Sequence, residues 1–472
     1  KAIWESYTQQ GNNANTGLAM IHEYPLQGRP PMMTHVYNID NIITATAKGA
    51  IERIVRVCKM NEADTKKVEA VSSSLTSKGY RVIAVASALH SEEKFPEQQD
   101  DFNWRFEGLL ALYDPPKKNV KETFQKFREA KIDIKIITGD HPATTANIAS
   151  QVGIDHNQKY FTGDDIMKMT EAELSTAVRN CSIFARMFPD AKLKVVEALK
   201  ANGEIVAMTG DGVNDGPALK AADIGIAMGK KGTEIARQAA DLVLTDDNLE
   251  KIVTAVSEGR KIFSNLKKAV RYIISIHIPI ILVASIPLIL GWRLPNIFTP
   301  VHIIFMEIIM GPTCSVFFER EPVEGNLMMQ SPRNRSIGLF TRNELLLSIV
   351  QGIIIASFTL ILYYYYMGSG ASIEEVRTVV FITLILSNMF LTFANRSFSQ
   401  NIFHTIRYKN NLAPFVVIIS AAFIATLYYI PAAKELFGLE DITVKMFLLC
   451  LAISFSSVMW FEIYKSGLVK QG

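Results

Sequence analysis

Apolar positions are distributed differently in the two parts of the chain. Up to about Arg271, short apolar runs alternate with polar stretches, whereas long apolar runs dominate afterwards. About 20 consecutive apolar residues are enough to cross a bilayer as a helix. The pattern therefore predicts six transmembrane helices, at residues 269–290, 297–318, 345–367, 377–395, 412–430 and 442–464. The alternative for each run is a buried helix of a soluble protein, but the run at 345–367 is too long and too free of charge for that interpretation.

Basic residues in the connecting segments predict the orientation of these helices. Cations are concentrated in the connectors 319–344 and 396–411 and in the C-terminal tail, whereas the connectors 368–376 and 431–441 hold few. Cytoplasmic loops carry an excess of Lys and Arg. We therefore expect a multi-pass integral membrane protein in contact with lipid, in the plasma membrane, with both chain ends and the soluble part in the cytoplasm.

The soluble part has the pattern of alternating strands and helices. Apolar strands run into turns at KIDIKIITGD (131–140) and GEIVAMTGDGVND (203–215), and helical patterns lie between them. This alternation is typical of a parallel sheet covered by helices, which binds ligands at the carboxyl ends of its strands. The predicted organisation is a mixed α/β piece (1–107), a parallel-sheet domain (108–246), a continuous stalk helix (247–268) and the membrane domain (269–472).

Composition excludes several classes of protein. The net charge of +3, from 49 basic and 46 acidic residues, is too small for a nucleic-acid binder that acts through a general basic field. A hydrophobic content of 49% excludes a disordered chain. The four cysteines lie far apart and form no CxxC pair, so a disulfide framework is not expected.

Carboxylates at two strand ends indicate phosphate and metal chemistry. Asp211 and Asp215 follow one strand, where Mg²⁺ would find oxygen ligands, although such a turn is also common as a solvated loop. Thr138 and Asp140 follow another strand, and the tips of neighbouring parallel strands meet at one edge. Lys192, in the first turn of a helix, would neutralise phosphoryl charge there, although alone it is an ordinary surface cation.

These motifs together resemble those of the P-type cation-transporting ATPases. TGDGVND (209–215), ITGD (137–140), DPPK (114–117) and KGA (48–50) are similar to the second, calcium- and sodium-pump-like class, and the resemblance covers essentially the whole chain. It implies a haloacid-dehalogenase-like phosphorylation domain that uses ATP and Mg²⁺. By this resemblance, Asp211 would be the Mg²⁺ ligand, and Asn214 and Asp215 would support the phosphorylation site. Thr138, Gly139 and Asp140 would hold phosphate and nucleotide. Lys192 would balance the charge of the phosphorylated carboxylate.

The resemblance also implies that the N-terminal piece is part of a nucleotide-binding domain. In that piece Tyr24 would stack on adenine, Lys48 and Gly49 would lie in the nucleotide pocket, and Arg81 would contact the nucleotide. From the following domain, Arg186 would also lie at the nucleotide, and Asp114 would form the hinge between the two domains. Without the resemblance each of these is ordinary, for example a core tyrosine or a surface lysine.

Three parts of the family pattern do not occur in this sequence. It contains no DKTGT run with the nucleophilic aspartate, no TGE loop of the actuator domain, and no apolar span before residue 269. We therefore expect the chain to represent a C-terminal half whose parallel sheet lacks the nucleophile strand. Such a chain would be inactive alone, and its partner would be an N-terminal half, on the same polypeptide or on a separate one.

The residues of the first two predicted spans differ from those of calcium pumps at the positions that bind the cation. His277 and Glu307 stand where calcium pumps carry asparagines, and Ile280 stands where they carry a glutamate. The candidates for contact with the cation are His277, Glu307 and Asn388. Family precedent favours Ca²⁺, whereas the residues favour a proton or a monovalent cation. His302 is expected to face water at a span end, and Glu319, Glu321 and Glu324 are expected in a solvated loop.

Two further classes of function remain open. A dehalogenase-like phosphatase on a membrane anchor would need its own nucleophilic aspartate, and Asp133 is not at a suitable strand end. A non-catalytic membrane regulator derived from a pump would keep the nucleotide site without turnover.

Overall fold

The structure is a computed structural model with two compact units, residues 1–251 and 252–472. It describes residues 18–469 except 29, 40, 92–93, 114, 118, 155–158, 295 and 334–337, and it gives only the backbone for 309–315 and 468–469.

The first unit begins with an antiparallel sheet of five strands in sequential order. The strands are β1 (Met20–Gln27), β2 (Met32–Ile39), β3 (Ile42–Gly49), β4 (Arg81–His90) and β5 (Arg105–Leu112). Alternate residues in the middle of β2, β3 and β4 are buried, for example Val36, Ala45 and Ala86, as the two-residue period of a strand requires. Helix α1 (Ile51–Val57) adds Ile54 and Val57 to the same core.

The rest of this unit contains two parallel three-stranded sheets. One has the order β6-β8-β7 and the other β11-β10-β9, with β6 (Ile136–Ile137), β7 (Tyr160–Thr162), β8 (Ile183–Ala185), β9 (Ala207–Gly210), β10 (Ile224–Met228) and β11 (Leu242–Leu244). The helices of the unit are α2 (Glu62–Ser77), α3 (Val120–Glu129), α4 (Pro142–Gln151), α5 (Gly163–Lys168), α6 (Glu171–Asn180), α7 (Pro189–Ala201), α8 (Gly216–Ala221) and α9 (Glu234–Ala239). The predicted mixed α/β character of the soluble part is confirmed.

Each of these sheets has two edge strands in the described part of the chain, β6 and β7 in one and β9 and β11 in the other, and the edges of β6 and β9 bear on the site. Within the described part of the chain, β6 pairs only with β8, and β9 pairs only with β10. Helix α7 packs on both sheets, because Val195 lies in the core around Phe184 while Val196 lies in the core around Met208. An open strand edge is a template for pairing with a further strand.

The second unit is helical. Its elements are α10 (Glu250–Ile289), which starts in the first unit, α11 (Pro300–Glu319), α12 (Arg342–Gly368), α13 (Ile373–Ala394), α14 (Ile402–Thr405), α15 (Ala413–Tyr429), α16 (Pro431–Phe437) and α17 (Val444–Val469). Every predicted span falls on one of these helices. Among the described residues, α10, α12, α13 and α17 are long and apolar enough to cross a membrane, and α15 with α16, bent by 94°, would make a fifth span. The chain is an integral membrane protein, and the number of six spans stays a prediction.

Helix α13 forms the centre of the helical unit. Its most apolar window is 78% buried, against 28% for that of α17 and 39% for that of α12. A helix that is apolar all round and buried is a core helix, whereas helices with open apolar faces suit contact with lipid.

Candidate functional site

The turn after β6 holds Thr138, Gly139 and Asp140. The Thr138 amide donates to the Phe184 carbonyl at 2.9 Å, and the Met187 amide donates to the Thr138 carbonyl at 2.9 Å, so the pairing with β8 continues past the strand. The Asp140 amide donates to Thr138 Oγ1 at 3.2 Å. The turn therefore presents the Asp140 carboxylate at the carboxyl end of β6, the edge at which parallel sheets bind ligands.

The turn after β9 brings Lys192 and Asp215 together. Lys192 Nζ donates to Asp215 Oδ1 at 2.6 Å, and both side chains are mostly buried. Asp215 Oδ2 accepts the amides of Asp211 and Gly212 at 3.3 and 3.2 Å. A Cβ at Gly210 would lie 2.6 Å from the Cβ of Asp215, so only glycine allows this close turn. The Asp215 carboxylate is thus occupied by protein donors.

Asp211 is the open carboxylate of this edge. Its side chain is exposed and forms no hydrogen bond or ion pair within the described part of the chain, while its carbonyl accepts the Thr233 amide at 2.9 Å. Mg²⁺ commonly takes one or two carboxylates and keeps water or phosphate as its other ligands. Asp211 fits one such ligand, and the described residues include no cluster of three or more His, Cys, Asp or Glu side chains that could hold a metal alone. Asn214 is also exposed next to it.

Three of the predicted nucleotide contacts, Lys48, Gly49 and Arg81, lie at the end of β3 or the start of β4. Lys48 is exposed, and a Cβ at Gly49 would lie 2.7 Å from the Pro31 carbonyl oxygen, which explains the glycine. Arg81 opens β4 with a side chain that is 68% exposed. Tyr24 is only 8% exposed and donates its hydroxyl to the Pro96 carbonyl, which matches the core-tyrosine alternative rather than an open surface for adenine. Asp114 lies outside the described residues.

Two ion pairs join the five-stranded sheet region to the parallel-sheet region. Arg81 Nε lies 3.4 Å from Asp140 Oδ1, and the Arg186 guanidinium donates to the Glu52 carboxylate. Burial opposes ionisation of Glu52, but the hydrogen bond and charge of Arg186 hold its pKa below the ordinary value. The sequence motifs did not identify Glu52, although its position four residues after Lys48, at the start of α1, was a usable signal.

His277 and Glu307 form a pair between α10 and α11. His277 Nε2 lies 3.0 Å from Glu307 Oε1, and His277 Nδ1 lies 2.8 Å from the Ile273 carbonyl oxygen. Because the carbonyl can only accept, Nδ1 is the donor in that contact, and Nε2 faces the Glu307 carboxyl group. The pair thus places two groups able to bind a proton next to each other between the two helices.

Asn388 occupies a different space from this pair. It is 6% exposed and accepts the hydroxyl of Tyr272. It lines a cavity large enough for about one water molecule, together with Pro279, Ile280 and Met306. Neither His277 nor Glu307 lines that cavity.

Two predictions of water-exposed groups are wrong. His302 is 0% exposed, because its ring packs edge-on against Phe381 and Phe437 and its Nδ1 accepts the Thr299 amide. Glu321 is also fully buried, because Arg396 Nε donates to its Oε1 at 3.0 Å and Asn410 Nδ2 donates at 2.7 Å.

Glu324 belongs to the same environment. Its side chain is 11% exposed, and its Oε1 lies 2.6 Å from Lys268 Nζ. Of the three loop acids, only Glu319 is exposed as predicted.

Three family models match parts of the chain, and the first two matches overlap. "P-type ATPase, cytoplasmic domain N" matches residues 9–119, "haloacid dehalogenase-like hydrolase" matches 80–223, and "Cation transporting ATPase, C-terminus" matches 295–466.

Whole-chain similarity leads to the same group of proteins. The chain is 30% identical over 472 residues to calcium-transporting ATPase 1 of Bacillus cereus, with 94% of this chain and 53% of that protein covered. It is 31% identical over 464 residues to calcium-transporting ATPase 1 of Saccharomyces cerevisiae (94% and 49%), and 30% identical over 458 residues to calcium-transporting ATPase type 2C member 1 of Homo sapiens (94% and 48%). The chain thus spans about half the length of the curated relatives it matches.

Proposed function

Since the chain belongs to the P-type cation-transporting ATPases and spans about half the length of its relatives, we propose that it works as the C-terminal part of an ATP-driven cation pump. In such a pump an aspartate is phosphorylated by ATP and dephosphorylated, and the cycle drives cation transport. This chain would supply part of the nucleotide site, the phosphate-binding strand tips and a membrane domain. The nucleophilic aspartate and the actuator domain would come from an N-terminal half, on the same or a separate polypeptide.

The observation that carries the proposal is the pair of open strand edges beside the phosphate-binding turns. The β6 edge is followed by Thr138 and Asp140, and the β9 edge is followed by Asp211. One added parallel strand, paired with both edges, would join the two sheets and carry its own C-terminal residue to these turns. We propose that this strand bears the nucleophilic aspartate.

The turns around that position suit a phosphorylated carboxylate. Thr138 and the amides of its turn would bind phosphoryl oxygens, and Lys192 would offset part of the negative charge. Mg²⁺, held by Asp211 and by the incoming carboxylate, would neutralise charge on the transferred phosphoryl group. Asp215 would keep Lys192 in place, since its carboxylate is hydrogen-bonded on both oxygens.

The test is phosphorylation by labelled ATP. The chain co-expressed with an N-terminal half carrying DKTGT should give an acid-stable phosphoprotein in the presence of Mg²⁺, and the chain alone should give none. A labelled aspartate within this chain alone would overturn the proposal. A chain that binds ATP but gives no phosphoprotein with any N-terminal half would favour the regulator class.

The role of Asp211 has a separate test. Asp211→Asn should raise the Mg²⁺ concentration needed for phosphorylation at least ten-fold. Loss of a residue that only hydrogen-bonds to a metal ligand already lowers metal affinity by about that factor, and loss of a ligand itself should cost at least as much. Asp133→Asn, a change of an exposed aspartate in the same domain, should leave it unaltered. An unchanged Mg²⁺ requirement in Asp211→Asn would remove Asp211 from the metal site.

For the cation, the names of the relatives support Ca²⁺, and the His277–Glu307 pair supports a proton as the second candidate. Ca²⁺ takes six to eight oxygen ligands, whereas this pair contributes one carboxyl group and one imidazole, two groups that can pass a proton between them. Both side chains are partly exposed on an apolar face that includes Ile273 and Ile281. Because lipid contact with such a pair is costly, we propose that a membrane helix of the N-terminal half covers it.

The cation can be tested in vesicles containing the complete pump. ATP-driven uptake of labelled Ca²⁺ would support the first candidate, and acidification without Ca²⁺ uptake would support the second. Glu307→Gln should abolish the dependence of ATP hydrolysis on the transported ion in either case. Glu319→Gln, at an exposed position of the same helix, should not. Unchanged ion dependence in Glu307→Gln would exclude Glu307 from the site.

A further inference from the structure

Two kinds of bonds join the five-stranded sheet region to the parallel-sheet region, which together are called the two soluble regions below. Two are neutral hydrogen bonds: Thr144 Oγ1 donates to the Tyr80 carbonyl at 3.1 Å, and Asn147 Nδ2 donates to the Ser77 carbonyl at 2.8 Å. The others are the ion pairs Arg81–Asp140 and Arg186–Glu52. The neutral bonds position the two regions without using a charged group.

Both arginines of the ion pairs belong to the predicted nucleotide contacts, and each is held by a carboxylate. Glu52 stands in the first turn of α1, directly after the Lys48–Gly49 turn at the end of β3. Arg186 reaches it from the opposite region of the unit. A carboxylate presents two anionic oxygens to an arginine, as a phosphate group does.

The backbone fixes Arg186 in this position. Its φ is +48°, in the left-handed region that costs energy for a residue with a side chain. Its amide donates to the Asp140 carbonyl at 2.9 Å, so the turn after β6 maintains this conformation. The direction of Arg186 is thus set by the phosphate-binding turn rather than by Glu52.

We propose that Glu52 is an internal competitor for the phosphate groups of the nucleotide: it occupies Arg186 in the nucleotide-free protein and is displaced when a nucleoside di- or triphosphate binds. This inference rests on the proposed nucleotide site. Glu52 would therefore help to set the affinity for the nucleotide. Because nucleotide binding would break the Arg186–Glu52 ion pair, it would also remove one of the contacts that join the two soluble regions.

The competition has a predictable size. The side chains of Arg186 and Glu52 are 40% and 46% exposed, so water and salt screen the pair. Exposed pairs of this kind correspond to about a two- to five-fold change in an equilibrium constant. Glu52→Gln keeps the size of the side chain and removes the charge that holds Arg186.

The experiment measures binding of MgATP, ADP, tripolyphosphate and adenosine to the full chain in detergent micelles. Glu52→Gln should bind the three phosphate compounds about two- to five-fold more tightly, with the gain shrinking at high salt, and should bind adenosine as before. The matched control is Glu62→Gln, in the first turn of α2, which loses an exposed pair with Lys66 and should change nothing. A purely structural role for Glu52 would not separate phosphate compounds from adenosine.

A charge swap provides a second variant. Glu52→Arg combined with Arg186→Glu restores the ion pair between the two regions but replaces the arginine that phosphate needs. We expect it to bind MgATP more weakly than the unmodified chain while its susceptibility to limited proteolysis stays unchanged.

The possible failures are distinguishable. If the unmodified chain binds none of the phosphate compounds, the proposed nucleotide site is wrong and this inference falls with it. If the unmodified chain binds MgATP and Glu52→Gln binds it equally or more weakly, only the competition is overturned.

Discussion

Two ion pairs, one from each unit, differ in how far they are exposed to water. In the helical unit, Glu321 and Arg396 are 0% and 2% exposed, whereas in the soluble unit Glu52 and Arg186 are 46% and 40% exposed. A buried pair is expensive to break, because the remaining charge has no water to solvate it. An exposed pair contributes little and can be exchanged for another partner. The buried pairs therefore suit fixed geometry, and the exposed pairs suit contacts that form and break with a ligand.

The buried pairs connect segments that are distant in sequence. Glu321 and Glu324 follow α11, Arg396 follows α13, and Lys268 lies on α10. Lys465 on α17 donates to the Ala394 and Ser397 carbonyls at 2.9 and 3.1 Å. These contacts join the C-terminal ends of α11, α13 and α17 to one another or to the middle of α10, which a solvated loop would not do.

The largest expected effect comes from breaking the buried pair. Arg396→Ala should destabilise the helical unit by about 3–5 kcal/mol, because Glu321 would remain charged and buried. The measurement is the unfolding midpoint of the chain in detergent. Arg407→Ala, at an exposed position of the same connector, is the control and should have little effect.

A double variant sharpens this test. Arg396→Met with Glu321→Leu removes both charges and should recover most of the lost stability. Equal destabilisation by Arg396→Ala and Arg407→Ala would show that the pair is not buried in solution.

An intermediate effect is expected for the mostly buried pair Lys192–Asp215 beside the turn after β9. Lys192→Met should destabilise the soluble unit by about 1–3 kcal/mol, since Asp215 would lose its only described cation while keeping two amide donors. Denaturant unfolding followed by circular dichroism measures it. Lys220→Met, at an exposed position of α8, is the control, and an equally small loss in both variants would contradict the predicted contribution of the pair.

Burial also affects a group of the soluble unit that has no ionic partner. Burial, with a smaller contribution from the charge of Glu107, raises the pKa of the Cys58 thiol to about 11. The thiolate is the reactive form, so alkylation of Cys58 at pH 8 should be about ten-fold slower than that of an ordinary cysteine. Peptide mapping after timed exposure to iodoacetamide measures the rate. Unfolding in detergent should restore it, and fast alkylation of the folded chain would contradict the burial.

The smallest effect is expected from the pH dependence of the exposed pair. Arg186 holds the pKa of Glu52 below its ordinary value of 4.5, so the pair stabilises the contact above that value and is lost as the pH falls through the lowered pKa. The change should be below about 1 kcal/mol. His141 faces the same pair, and its pKa is lowered by burial and by the charge of Arg186, so its protonation at acid pH would weaken the contact further.

Limited proteolysis between pH 6 and 4 measures this effect. The unmodified chain should become more sensitive at the acid end, and the change should be smaller in Glu52→Gln. An identical pH profile for the two proteins would show that Glu52 does not contribute to the contact.

Sequence reasoning was most successful where the chemistry is local. The TGD and TGDGVND turns lie at the ends of β6 and β9, and every predicted apolar run falls on a helix. Short-range signals such as glycine turns and apolar run length depend on neighbouring residues, so a linear pattern carries them. The sequence predicted that Lys192 and Asp215 both lie near the carboxyl ends of the strands. It did not predict the ion pair between them, because that contact joins two separate elements.

The failures concern burial that depends on distant residues. Glu321 and His302 were expected in water because polar residues in connectors and at span ends usually face it. Arg396 lies 75 residues after Glu321, and Phe437 lies 135 residues after His302, so no local pattern reveals their contacts. Glu52 was missed for the same reason, since Arg186 meets it from a different region.

The sequence by itself determined the α/β and membrane parts, the positions of the TGD and TGDGVND turns and the resemblance to the P-type ATPases, because these depend on residue type, spacing and the lengths of apolar runs. The tertiary structure alone decided which charges are buried, which carboxylate at the strand ends is exposed without a described partner, and which arginines are already paired. Those outcomes depend on the distance to partners far along the chain and on the exclusion of water, and neither quantity is encoded in a local stretch of residues.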